Sequence, residues 1–202
     1  MELNFIAFAY LFLRLAPFIL ICFFTLSSIF NQDFKGIIYL LGVLTSSILC
    51  LSASPLISYL GNSNDASTTP NICKSLTINK MGVFSNIPLG QNVIVFTMFY
   101  LIYSMMTYNI VTQNWVTIVF FTLLTIFNFY WNISHECHTL TQMTAATVLG
   151  SFGMFWGYLI DKGFKSKRLL YFAGLEQSNH CSRPSRQTFK CRVYKNGNLI
   201  SG

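Results

Sequence analysis

Long apolar runs separated by short polar breaks organise this chain. Five runs are long enough to cross a bilayer, which takes roughly 17 to 25 residues. They cover about Phe5 to Phe30, Gly36 to Leu60, Asn92 to Val111, Trp115 to Tyr130 and Leu140 to Ile160. Arg14 and Pro17 interrupt the first. The breaks are Asn31-Gln32-Asp33, the segment Gly61–Gln91, Thr112-Gln113-Asn114, and Asn132 to Thr139. The pattern predicts an all-α, polytopic membrane helix bundle over 1–160, followed by a basic tail over 161–202. The first run reads as a retained helix rather than a cleaved signal peptide. No basic stretch precedes it, and its apolar part is too long for a signal.

Composition agrees. The 202 residues are 53% hydrophobic and only 9% charged, whereas a soluble domain carries about 25% charged residues. A disordered chain, a coiled coil and a disulfide-rich miniprotein are excluded, and a water-soluble enzyme is disfavoured.

Charge predicts orientation. Nine of the 13 Lys and Arg residues fall in the tail: Lys162, Lys165, Lys167, Arg168, Arg183, Arg186, Lys190, Arg192 and Lys195. The positive-inside rule therefore places the tail in the cytoplasm. Five spans then place Glu2 outside, and put the segments Gly61–Gln91 and Trp131–Thr139 together on the non-cytoplasmic face. Any site is expected to use both segments. The run Lys162, Lys165, Lys167, Arg168 sets topology or attracts anionic lipid.

Within the tail, alternation over Gln187 to Ile200 around Asn196-Gly197 predicts a small β-hairpin. Such a hairpin is marginal alone, so it would dock on a partner or on the membrane domain. The tail has neither a zinc spacing nor a basic helix with interleaved aromatics, so no nucleic acid is expected as a partner. The expected partners are membrane lipids and other membrane or capsid-type proteins held through the tail.

The six cysteines contain no CxxC pair. Cys22 and Cys50 read as buried apolar residues. Cys73 and Cys137 share the outer face, where a disulfide between them is one reading. Cys181 and Cys191 are expected to be reduced in the cytoplasm. His135, Glu136, Cys137 and His138 have ligand chemistry, but neighbours on a short loop rarely converge and no further ligands are evident. No metal and no cofactor are expected. Arg14, inside the first run, must snorkel, find a partner or face a polar cavity.

Two motifs carry a resemblance. Pro88-Leu89-Gly90-Gln91 opens the third run. His138 is followed by three residues and Gln142, then by Ala145, Ala146, Gly150, Gly153 and Gly157. This arrangement resembles the type 2 phosphatidic acid phosphatases (PAP2), over about residues 82–160. That family has Pro-Ser-Gly-His at a helix entrance. It has Ser-Arg, five residues, His, three residues and Asp before a helix rich in small residues. The resemblance implies a PAP2-like helical fold with its two motifs on one face. It also implies His138 as phosphoryl acceptor, with Gln91 at the position of the acid, Asn132 at that of the Arg, and Gln142 at that of the Asp.

Those replacements remove the chemistry. Gln91 cannot act as a general acid. Asn132 cannot neutralise phosphate. Gln142 can hold an imidazole but cannot stabilise its cation by charge. Losing one electrostatic donor costs ~10²–10³ in rate, so the resemblance implies a pseudoenzyme. Pro88, Gly90, Gln91, Asn132, His138 and Gln142 would instead form a neutral polar pocket. If the chain is active, His138 is the catalytic residue, and the function is that of an atypical lipid-phosphate phosphatase or phosphotransferase. Ala146, Gly150, Gly153 and Gly157 recur at three- and four-residue spacing and predict a close helix-packing face. The run 85–91 and the tail segment 181–191 are also similar to small membrane proteins of large double-stranded DNA viruses. That likeness implies a structural role in a membrane beneath a capsid.

Overall fold

A computed structural model describes residues 5–60, 87–164 and 169–171, together with strand residues 194–195 and 198–199. Helix α1 spans Phe5–Asn31, α2 Lys35–Leu60, α3 Leu89–Thr107 and α4 Trp115–Ser134. The fifth apolar run is divided. It forms α5 over Leu140–Gly150, α6 over Phe152–Tyr158 and a π-helical turn over Leu159–Gly163. Among the described residues, five helical segments are long and apolar enough to cross a membrane: Leu11–Asn31, Lys35–Ile57, Leu89–Thr107, Trp115–Ser134 and Leu140–Gly163.

Three helices differ in their bounds from the expectation. The third starts three residues earlier, so Gln91 lies in its first turn, and ends at Thr107 instead of Val111. The fourth continues to Ser134, which places Asn132 in a helix rather than a loop. The fifth breaks at Ser151 and runs on to Gly163.

The helix ends explain the breaks. After α1, Gln32 takes φ 52°; after α3, Asn109 takes φ 54°; after α4, Glu136 takes φ 53°. In each case the next amide reaches back five residues: Asp33 to Ser28 at 3.1 Å, Ile110 to Met105 at 3.1 Å and Cys137 to Asn132 at 2.9 Å. These are Schellman closures, which satisfy the orphan carbonyls of a helix end. A glycine normally occupies the left-handed position, and here none of the three is glycine.

Helix α3 lies at the centre. Ile94, Val95, Phe96 and Tyr100 on it are fully buried, whereas α1 and α4 expose rows such as Phe18, Phe23 and Phe30, and Phe120, Leu123 and Phe127. This is the order expected when lipid replaces water: apolar side chains face out, and packing, not hydrophobic exclusion, selects the interior.

The small-residue face of the fifth span seats on α3. A Cβ added at Gly150 would lie 2.7 Å from the Val95 side chain. At Gly153 it would strike the Phe96 carbonyl oxygen, and at Gly157 it would lie 2.6 Å from the Tyr103 ring. Ala146 is fully buried against Cys50 and Ile87. In lipid, small residues of this kind allow close backbone approach.

In the tail, Tyr194–Lys195 pairs antiparallel with Asn198–Leu199, Tyr194 opposite Leu199 and Lys195 opposite Asn198. The rest of the expected alternation over 187–200 lies outside the described residues. So do Lys165, Lys167 and Arg168 of the basic run, whereas Lys162 sits in the π-helical turn.

Candidate functional site

A cluster of buried carboxamides, Gln91, Asn92 and Asn128, gathers at the end where α3 begins, α4 ends and α5 begins. Pro88 is extended at the start of α3, and proline suits a helix entrance because its missing N–H is not needed there. One turn of α3 then carries Gln91 and Asn92, both with no solvent exposure. A buried carboxamide costs free energy unless both ends are satisfied. For Gln91 both ends are bonded. Its Oε1 accepts from Asn128 Nδ2 at 2.7 Å, and its Nε2 donates to Thr147 Oγ1 at 3.4 Å.

The chain of amides continues up α4. Asn132 Nδ2 donates to the Asn128 carbonyl at 2.7 Å and to Asn128 Oδ1 at 3.2 Å. The Asn132 carbonyl accepts the amides of Cys137 at 2.9 Å and His138 at 3.4 Å. Gln91, Asn128, Asn132 and the His138 loop therefore form one connected path. On the other side of α3, Ser46 of α2 donates to Asn92 Oδ1 at 3.0 Å.

Gln142 has two tasks. Thr139 is the N-cap of α5. Its Oγ1 accepts from the Gln142 amide at 3.4 Å, and its own amide donates to Gln142 Oε1 at 3.1 Å. This reciprocal pair is a capping box. The Gln142 side chain also lies close to His138 and favours its charged form. Burial holds the His138 pKa below its ordinary value of 6.5. Gln142 opposes that shift, and the charge of Arg14 adds to it.

Arg14 approaches from α1. Ala16, two residues on, packs with Ile94 of α3 and Leu124 of α4. A Cβ added at Gly90 would lie 3.2 Å from Pro17, so α1 seats against the α3 entrance. Arg14 lies close enough to His138 for its charge to be felt there.

The structure thus brings together Gln91, Asn132, His138 and Gln142, with Pro88 and Gly90 shaping the entrance. Of the two glutamines, Gln91 bonds Asn128 and Thr147, and Gln142 is the one close to His138. Sequence reading missed Asn128, Thr147 and Thr139. Asn128 was visible as a lone carboxamide in an apolar run, four residues before Asn132 and so on the same helix face. Thr139-Leu140-Thr141-Gln142 spells a capping box. Among the described residues, no three His, Cys, Asp or Glu side chains come together as a metal site would require. Comparison of the chain with protein-family models, with curated proteins and with solved structures found no match.

Proposed function

We propose that this is a noncatalytic integral membrane protein, a PAP2-like pseudoenzyme whose former reaction site has become a structural hydrogen-bond network. Its role is scaffolding within a membrane. The basic tail, with its short antiparallel pair, is the docking element for other membrane or capsid-type proteins on the cytoplasmic side. The concentration of Lys and Arg in that tail supports the orientation. A reporter fused at Gly202 should resist protease added outside sealed cells; digestion with the membrane intact would reverse the topology.

One observation carries the noncatalytic reading. Gln91 stands where the resemblance calls for a proton donor to the leaving group. It is fully buried, and both ends of its carboxamide are bonded to Asn128 and Thr147. A group bonded at both ends and lacking a titratable proton cannot serve as a general acid. Asn132 and Gln142 are similarly engaged. The test is phosphate release from phosphatidic acid in mixed micelles. Wild type and His138→Ala should both be inactive. Release by wild type that disappears in His138→Ala would restore the phosphatase.

That second reading, an atypical lipid-phosphate phosphotransferase, draws on Arg14. Arg14 supplies a cation near His138 from a helix outside the two motifs, and burial favours the neutral imidazole that a nucleophile requires. Against it, Gln142 fills the position of the family's Asp, and a neutral carboxamide cannot stabilise an imidazolium by charge.

A further inference from the structure

The disulfide at Cys137 has no place in the reading above. Cys137 is disulfide-bonded and buried. Cys22 and Cys50, the other cysteines among the described residues, are free. That leaves Cys73, Cys181 and Cys191, all outside the described residues, as partners.

Helix order separates the three. The fifth span leaves the His138 end at Leu140 and runs through to Gly163. Leu170 then lies fully buried with Phe24, Tyr39 and Tyr100, and the Tyr171 ring meets Phe24 edge-on at 4.6 Å between centroids. Phe24 belongs to the last two turns of α1 and Tyr39 to the first two of α2. The chain at Tyr171 is therefore at the opposite end of the bundle from Cys137.

Cys181 follows ten residues later. A helical crossing needs about 20 residues, and a non-helical one would expose unsatisfied backbone to lipid. Cys191 lies beyond Arg183, Arg186 and Lys190, charges that a crossing segment would have to carry through the hydrocarbon, where they are strongly disfavoured. Cys73 needs no crossing. It lies between α2 and α3, and the late α2 residues Cys50, Ala53 and Ile57 pack with Ile87 and Ala146 near the α3 entrance. Both ends of its segment are at the His138 end.

We propose that Cys137 is joined to Cys73. The bond ties the α2–α3 connection to the α4–α5 loop, one residue from His138, and marks this face as open to an oxidising compartment. Its formation removes two protons and two electrons from the two thiols. A disulfide donor of that compartment takes them up and becomes a dithiol. The pairing rests on helix order alone, and it stands or falls separately from the catalytic question.

The experiment is peptide mapping of the full-length protein, alkylated in its native membrane without reduction. A Cys73–Cys137 crosslinked peptide is expected, with Cys181 and Cys191 alkylated. A link from Cys137 to Cys181 or Cys191, or alkylation of all four, would overturn the assignment. Melting provides a second measurement. Cys73→Ser and Cys137→Ser should each lower the melting temperature by roughly 5–15 °C. The double variant should fall no further than either single one, and additive losses would count against a shared bond.

Discussion

The two ends of this bundle are held by different chemistry. At the His138 end, Gln91, Asn128 and Asn132 hand hydrogen bonds from α3 to α4 and on to the loop. At the other end, rings do the packing. Phe96 and Tyr100 stack at 6.3 Å, Tyr39 tilts against both, and Phe24 lies 4.5 Å from Tyr39. Single polar contacts punctuate the rings there: Tyr39 Oη pairs with Thr97 Oγ1 at 2.7 Å, Trp156 Nε1 donates to the Ile38 carbonyl at 3.1 Å, and Tyr103 Oη donates to Asp161 Oδ2 at 3.2 Å. Rings tolerate adjustment, because aromatic pairs have broad minima. A carboxamide network does not, because each buried donor that loses its partner keeps its full desolvation cost. The His138 end is therefore the more specific of the two, and the ring end the more forgiving.

The seam shared by both ends should show the largest effect. Gly153→Leu should prevent folding, because even a Cβ there meets the Phe96 backbone. Gly157→Ala should cost less, because the atom it meets belongs to the Tyr103 ring, which can shift. Thermal melting in detergent checks the order; equal effects at the two positions would show that the fifth span does not seat on α3.

Next comes truncation at each end. Leu170→Ala should cost about 2–5 kcal/mol as a buried large-to-small change. Gln91→Leu should cost about 1–3 kcal/mol by leaving the Asn128 amide without its acceptor. Asn128→Leu made together with Gln91→Leu should recover part of that loss, because two apolar partners leave fewer donors unpaired. A strictly additive pair would remove the network from the account.

Acid should act on the His138 end. The folded-state pKa of His138 lies below 6.5, so the unfolded chain binds more protons between the two values. Stability rises with pH wherever the unfolded state binds more protons. The His138 contribution is thus present above pH 6.5 and lost as pH falls through 6.5 toward the folded value. Melting at pH 7 and pH 5 should show a decline in wild type that is smaller in His138→Asn. An identical decline would assign the effect elsewhere.

The smallest effect is a gain. Glu136 holds φ 53° where a Schellman closure favours glycine. Glu136→Gly should stabilise by about 1 kcal/mol, because the left-handed region costs a side chain about 1–2 kcal/mol. Unchanged or lower stability would show that the Glu136 side chain is needed in the loop.

Much of the fold was legible because a bilayer imposes a simple rule on sequence. Apolar runs of the right length had to be helices, and parity alone set Gln91 and His138 at the same end. Glycine spacing marked the face that meets α3, since only close backbone approach rewards that pattern. The site was legible in its members but not in its wiring. Gln91 and Gln142 each have donor and acceptor, so sequence could not say which would reach His138. The capping box decided it by fixing Gln142 beside the loop, which left Gln91 to Asn128. Arg14 was conspicuous as a charge in an apolar run, but its nearness to His138 depends on α1 seating against Gly90 through Pro17, a contact between segments far apart in sequence.

The central claim is that His138 sits in a structural network and accepts no phosphoryl group. Intact-mass analysis of purified protein after incubation with short-chain phosphatidic acid, followed by alkaline peptide mapping, tests it without requiring turnover. The account predicts an unmodified chain. A mass increase of one phosphoryl group, mapped to His138 and absent from His138→Ala, would contradict it.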